Sequence, residues 1–116
     1  MSGVSLSPSA ISVGAPTTCS FNLAGGIPSS GKVTVGLARL EEAPKSDVAP
    51  VYDKQLTYLR SETINEGGTD VKYDIYEMTV TDAGNSIKLV AFEKGTGYIK
   101  LWADEYDTST TTITIN

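Results

Sequence analysis

Apolar residues along this chain return at every second position and nowhere sustain a helical spacing. Val33, Val35 and Leu37 alternate with Lys32, Thr34 and Gly36. Ile99, Leu101 and Ala103 alternate with Tyr98, Lys100 and Trp102. Thr111, Ile113 and Ile115 alternate with Thr110, Thr112 and Thr114, and Cys19, Phe21 and Leu23 share one phase. Ile87, Leu89 and Ala91 form a further set, with Val90 and Phe92 facing the other way. Period two is the signature of a half-buried strand, which sends successive side chains to opposite faces. The aliphatic set of each run is therefore assigned to the core, and no helix is predicted.

Two segments are less regular. Val51, Leu56, Tyr58 and Leu59 keep no single phase. Val71, Tyr73 and Ile75 run in one phase, then Tyr76, Met78 and Val80 in the other. A bulge near Tyr76–Glu77, which lets a strand skip one residue, reconciles them. Turn-forming residues lie between the runs, at 24–31, 65–70, 82–85 and 94–97, with a polar loop at 41–50 that carries a proline near each end. Pro8 and Pro16 flank a short opening strand, Ile11 to Val13, which suits an edge because proline has no N–H to give a ladder. Seven or eight strands with regular turns predict an all-β fold: an immunoglobulin-like β-sandwich of two antiparallel sheets. Neither an internal repeat nor a linker appears, so residues 1–116 are expected to form one domain.

At 116 residues the chain is long enough to fold on its own core, without disulfides or metals. Charge then excludes one class of partner. The nine Lys and Arg are scattered singly from Lys32 to Lys100 against fourteen acids, for a net charge of −5. Nucleic-acid binding needs a basic patch to displace counterions from phosphates, and none is present. No apolar run approaches the ~18 residues of a membrane span, so membrane insertion is not expected. The opening residues Met1 to Leu6 lack a basic, then apolar, leader, and the closing residues carry no anchor.

Candidate chemistry is sparse. The chain has no His, which removes His-based triads and the commonest metal ligand. Cys19 stands alone, in phase with core residues, and reads as a buried, inert thiol. No phosphate-cradling glycine motif occurs, since Gly95-Thr96-Gly97 precedes a strand. We therefore expect no enzyme, no catalytic residue and no cofactor. Asp104, Glu105 and Asp107 place three carboxylates in one loop and are weak candidates for calcium, which takes six to eight oxygens. Tyr98 and Trp102 are partner-binding candidates. They lie opposite the core-facing Ile99 and Leu101 on one strand, with Tyr106 in the next loop. Exposed Trp and Tyr concentrate binding energy because they bury much area for little lost rotamer freedom. Cover by another strand within the same chain is the competing reading. Tyr73 and Tyr76 invite the same argument.

Two segments resemble the bacterial immunoglobulin-like domains of the Big type. One is the opening Val4-Ser5-Leu6-Ser7-Pro8-Ser9-Ala10-Ile11-Ser12-Val13-Gly14. The other is the closing stretch from Leu89 to Ala103, with its Gly95-Thr96-Gly97 turn, followed by Thr111-Thr112-Ile113-Thr114-Ile115. The Trp-Ser-Ser type segment usual in that family is missing between Gly31 and Glu66. The resemblance implies a role outside the cytoplasm, in surface adhesins or in virion proteins of tailed phages, and carries no catalytic residues. The leading expectation is a virion-associated structural or decoration protein that attaches to viral structural proteins. A chain that starts at Met1 without an export signal fits assembly inside a cell and exposure after lysis. The alternative is an adhesive or spacer module of a bacterial cell-surface protein that binds a protein receptor or a glycan.

Overall fold

A computed structural model describes residues 4–7, 10–43 and 55–116, with side chains from residue 10 onward. Its strands are β1 (Val4–Ser7), β2 (Ala10–Ile11), β3 (Thr17–Asn22), β4 (Lys32–Ala38), β5 (Leu40–Glu42), β6 (Leu56–Glu66), β7 (Thr69–Thr79), β8 (Gly84–Ala91), β9 (Gly95–Ala103) and β10 (Ser109–Ile115). No helix occurs among the described residues. Two sheets result, one ordered β1-β3-β8-β5 and the other β2-β10-β9-β4-β7-β6.

This order is that of an immunoglobulin-like sandwich. In such a fold the first, second, fifth and fourth strands make one sheet and the third, sixth and seventh the other. Here β1, β3, β8 and β5 take the first set of places, and β4, β9 and β10 the second. Three strands are additional. β2, the next strand after β1, runs parallel to β10, with Ile11 opposite Ile115. β6 and β7 form a hairpin inserted between the fourth and fifth framework strands, and β7 pairs with the free edge of β4.

The predicted alternation is realised between the sheets. Cys19, Phe21, Ile87, Leu89 and Ala91 from one sheet meet Val33, Val35, Leu37, Ile99, Leu101, Ile113 and Ile115 from the other, all buried. Each large aliphatic side chain so buried contributes about 1.5–3 kcal/mol relative to exposure. Gly97 is required in this layer, because a Cβ there would lie 2.9 Å from Ile113 Cγ2 and 3.0 Å from Ile115 Cδ1. The opening strand is shorter than expected. It is Ala10–Ile11, at the predicted edge, and Val13 lies beyond it, held by its N–H to the Asn116 carbonyl at 3.1 Å.

β7 corrects the sequence reading. No bulge occurs near Tyr76–Glu77. The strand runs on in register with β4, Val35 opposite Tyr76 and Gly36 opposite Ile75. The two apolar phases line opposite faces, and both are covered. Tyr76 and Met78 pack into the core between the sheets, while Val71, Tyr73 and Ile75 form a second core with Ala38 on the outer face. The irregularity lies in the neighbouring strand, where β6 skips Leu59 between Tyr58 and Arg60. The polar loop expected from residue 41 also starts later, since Glu41 and Glu42 belong to β5. Residues 44–50 of that loop, and Val51, lie outside the described residues.

Two features fix where the inserted hairpin starts. The chain crosses from β4 to β5, and so from one sheet to the other, at Arg39, whose φ is 63°. Its guanidinium ties the corner down, with Nε 2.9 Å from Glu93 Oε1 and Nη1 donating to the Thr96 carbonyl at 3.1 Å. Glu42, 8% exposed, then accepts the backbone N–H groups of Gln55 at 2.8 Å and Leu56 at 3.3 Å. One carboxylate thus joins the end of β5 to the start of β6. Charge-assisted hydrogen bonds of this kind contribute about 1.5–3 kcal/mol each. Glu42→Gln keeps the shape but turns an NH₂ group toward a backbone N–H. It is expected to lower stability by about 1–3 kcal/mol, read as a fall in the urea midpoint at unchanged slope. An unchanged midpoint would show that the carboxylate does not anchor this entry.

Candidate functional site

The outer face of the six-stranded sheet carries the predicted aromatics and is reshaped by the inserted hairpin. Gly67 and Gly68, with φ of 62° and 99°, make the two-residue turn that joins β6 to β7. Positive φ at both central positions matches the twist of the flanking strands, and glycine adopts it at no steric cost. The hairpin then curls over the sheet face. Glu66, beside the turn, reaches Lys100 of β9, with Nζ 2.6 Å from Oε1 and side-chain exposures of 12% and 17%. The Tyr73 hydroxyl donates to the same oxygen at 3.1 Å. Lys100 also donates to Thr110 Oγ1 at 3.1 Å and lies 5.8 Å from the centre of the Trp102 ring.

The predicted binding residues are dispersed differently from the expectation. Tyr98 and Trp102 lie on the face opposite Ile99 and Leu101, as the alternation requires, and both are half-buried against the second core. Tyr98 meets Tyr73 edge-on at 6.2 Å between ring centres. Trp102 lies against Gly36, where a Cβ would stand 3.1 Å from the indole Cζ3 and 3.1 Å from Tyr73 Cδ1. The glycine is what lets two large rings approach the sheet. Tyr73 is fully buried, so it is core rather than a binding residue, and Tyr76 faces inward. Tyr106 packs on the main core and donates its hydroxyl to the Gly26 carbonyl at 2.6 Å, stapling two loops together.

Three open grooves lie among the described residues. One of about 420 Å³ lies between Trp102 and the curled strand, lined by Thr34, Arg60, Glu62, Ile64 and Lys100. A second, of about 400 Å³, shares Trp102 and Thr34 and runs on past Asp104 and Tyr106. A third, of about 780 Å³, lies by the hairpin turn between Asp70, Arg39 and Tyr98. Trp102 and Tyr106 therefore share a groove, while Tyr98 lines another. Arg60 and Glu62 were not singled out in the sequence, because polar residues on an edge strand have no apolar alternation to reveal them. The paired glycines at 67–68 were the available signal, since a two-residue hairpin needs a strand on each side.

The calcium candidates Asp104, Glu105 and Asp107 are not gathered into one cluster. Among the described residues no three acids gather closely enough to hold a metal ion. Asp104 and Glu105 sit in a tight turn closed by the Tyr106 N–H on the Ala103 carbonyl at 3.1 Å. Glu105 has φ of 73° and accepts the Ser29 hydroxyl at 3.1 Å, which directs its carboxylate to another loop. Cys19 is 1% exposed, and burial pushes its thiol up to about 11.

No protein-family model matches the chain, and no curated protein matches it. Among solved structures it is similar to the CARDB domain of a Pyrococcus furiosus protein in complex with di-metal ions. That likeness is at 12% identity and TM-score 0.46, over 98% of this chain and 84% of that one. A chemokine-binding protein of a rodent gammaherpesvirus matches at 11% identity and TM-score 0.32, over 90% of this chain and 31% of that one. The fold assignment rests on strand order and register.

Two outcomes follow from this packing. Gly36→Ala forces the indole and phenol rings apart by a few tenths of an ångström. Overpacking of this kind costs about 1–3 kcal/mol, and the emission of Trp102, the single tryptophan, should shift with it. Unchanged emission and stability would mean that the rings do not rest on Gly36. The second outcome concerns pH. Burial, then the hydrogen bond to Glu66 and its charge, raise Tyr73 well above its ordinary value. Burial, then Asp74, raise Tyr76, and Cys19 is raised as described. The folded state keeps these protons where the unfolded chain releases them, from pH 9 for the thiol and 10 for the phenols. Their stabilisation is complete below pH 9 and is lost as pH rises beyond it. The urea midpoint should fall steadily above pH 9, and Tyr73→Phe should flatten that fall.

Proposed function

We propose that this immunoglobulin-like domain is a non-catalytic binding module carried on a larger assembly, and that the assembly is a virion which it decorates. The observation that supports the reading is the inserted hairpin. Seven framework strands supply most of the core between the two sheets, and β6 and β7 add Leu56, Tyr76 and Met78 at its edge. These two strands build a second layer on the outer face and leave Trp102 half-buried between two grooves. An extra layer that ends in an accessible aromatic is an investment in a surface rather than in a core. The absence of His, and a lone thiol that stays protonated at neutral pH, support a role without chemistry. Partners are taken to be viral structural proteins. In the rival reading, an adhesive or spacer module of a bacterial surface protein, the same face meets a receptor.

Fractionation separates the two readings. On density-gradient purification the chain should travel with intact particles, and Trp102→Ala together with Tyr98→Ala should release it into the soluble fraction. Recovery with the cell envelope instead would transfer the proposal to the surface module. Recovery in neither fraction would end the binding-module reading.

A further inference from the structure

The groove between Trp102 and the curled β6 strand has the chemistry of a site for a neutral saccharide. Its volume of about 420 Å³ falls in the range of small-molecule sites, and it is lined by Thr34, Arg60, Glu62, Ile64, Lys100 and Trp102. The lining combines apolar surface, from the indole and Ile64, with planar hydrogen-bonding groups, from a guanidinium and a carboxylate. Adjacent hydroxyls of a pyranose match those planar groups, and its C–H face matches the indole.

Charge argues against an ionic ligand. Lys100 is 2.6 Å from Glu66, and Arg60 Nη2 is 3.5 Å from Glu62 Oε2. Each cation in the groove thus has its own carboxylate, and the pairs leave polarity without net charge. Topology argues against an extended peptide. The groove opens on the face of a sheet, where the β4, β7 and β9 backbones are paired to neighbours on both sides. A peptide strand laid over those three strands would find side chains only and would leave its own N–H and C=O groups unpaired, which is costly once they are dehydrated; the free backbone edge is that of β6. A saccharide brings hydroxyls that both donate and accept and needs no ladder.

We infer that this groove binds a short neutral oligosaccharide, with Trp102 as its apolar wall and Arg60 and Glu62 as the groups that hold ring hydroxyls. The inference rests on the reading of the domain as a binding module but not on what carries the domain, so it can fail while particle association stands. Trp102 is the only tryptophan, so its emission reports the groove directly.

The experiment titrates the full chain with cellotetraose, maltotetraose, mannotetraose and chitotetraose while following that emission. At least one should give a saturable change. Arg60→Ala and Glu62→Ala should each weaken it about tenfold, the loss expected for one charge-assisted hydrogen bond. Both side chains are exposed, and both variants should keep the parent thermal midpoint. Phe92→Ala, exposed and outside this groove, should leave binding unchanged. No response to any of the four sugars overturns the inference. So does a response that both groove variants retain, or one given only by a mixture of random decapeptides.

Discussion

Glu66 holds the departure from the plain sandwich in place. One of its oxygens receives both the Lys100 ammonium, at 2.6 Å, and the Tyr73 hydroxyl, at 3.1 Å. The three residues come from β6, β9 and β7, so the contact links the inserted hairpin to the framework across the outer face. Taking two charges out of water is expensive, and a mostly buried ion pair adds little net stability over an apolar pair of the same shape. Its effect is positional. With the tip of the hairpin tied down, Ile64 closes over Val71, Tyr73 and Ile75, and that second core comes into being. Tyr98 and Trp102 complete the cover over those three apolar side chains.

That second core explains what alternation reveals and what it hides. Period two marks a strand with one wet face. β3 and β10 face water on their outer sides, β8 does so in part, and β4 and β9 carry polar, small or half-buried aromatic residues there, so the inward aliphatic residues of all five were legible from the sequence. β7 is covered on its outer face from Val71 to Ile75 and on its inner face at Tyr76 and Met78, so its two apolar phases looked like a break in one phase. The inference of a bulge was sound reasoning from a single-face premise, and the hairpin makes the premise false. β6 showed no alternation for the opposite reason. It is an edge strand exposed from Thr57 to Thr63, and its polar residues resemble those of a loop.

The candidate site divides along the same line. Tyr98 and Trp102 were legible because they oppose Ile99 and Leu101 on a strand with a clear phase. Tyr106 was legible as an aromatic in the next loop, but its bond to the Gly26 carbonyl joins residues eighty positions apart. Arg60 and Glu62 reach the groove only because Leu59 is skipped in the pairing, which sets the face that every later residue of β6 presents. A one-residue slip exchanges the two faces of a strand. Residue composition does not record such a slip, so this half of the site was invisible until the register was known.

The two halves of the site are therefore under different physical constraints. Trp102 rests on Gly36 and Tyr73, and any change beneath it must be absorbed by a packed layer with little free volume. Arg60 and Glu62 stand in solvent on an edge strand, and exposed positions of that kind tolerate substitution with small changes in stability. The wall of the groove is fixed by the fold, while its rim is free to vary. Substitutions at the exposed positions of β6, Thr57 to Thr63, can alter that rim while Leu56 keeps its place in the core. The insertion thus sets an exposed, variable rim beside a packed wall that belongs to the framework.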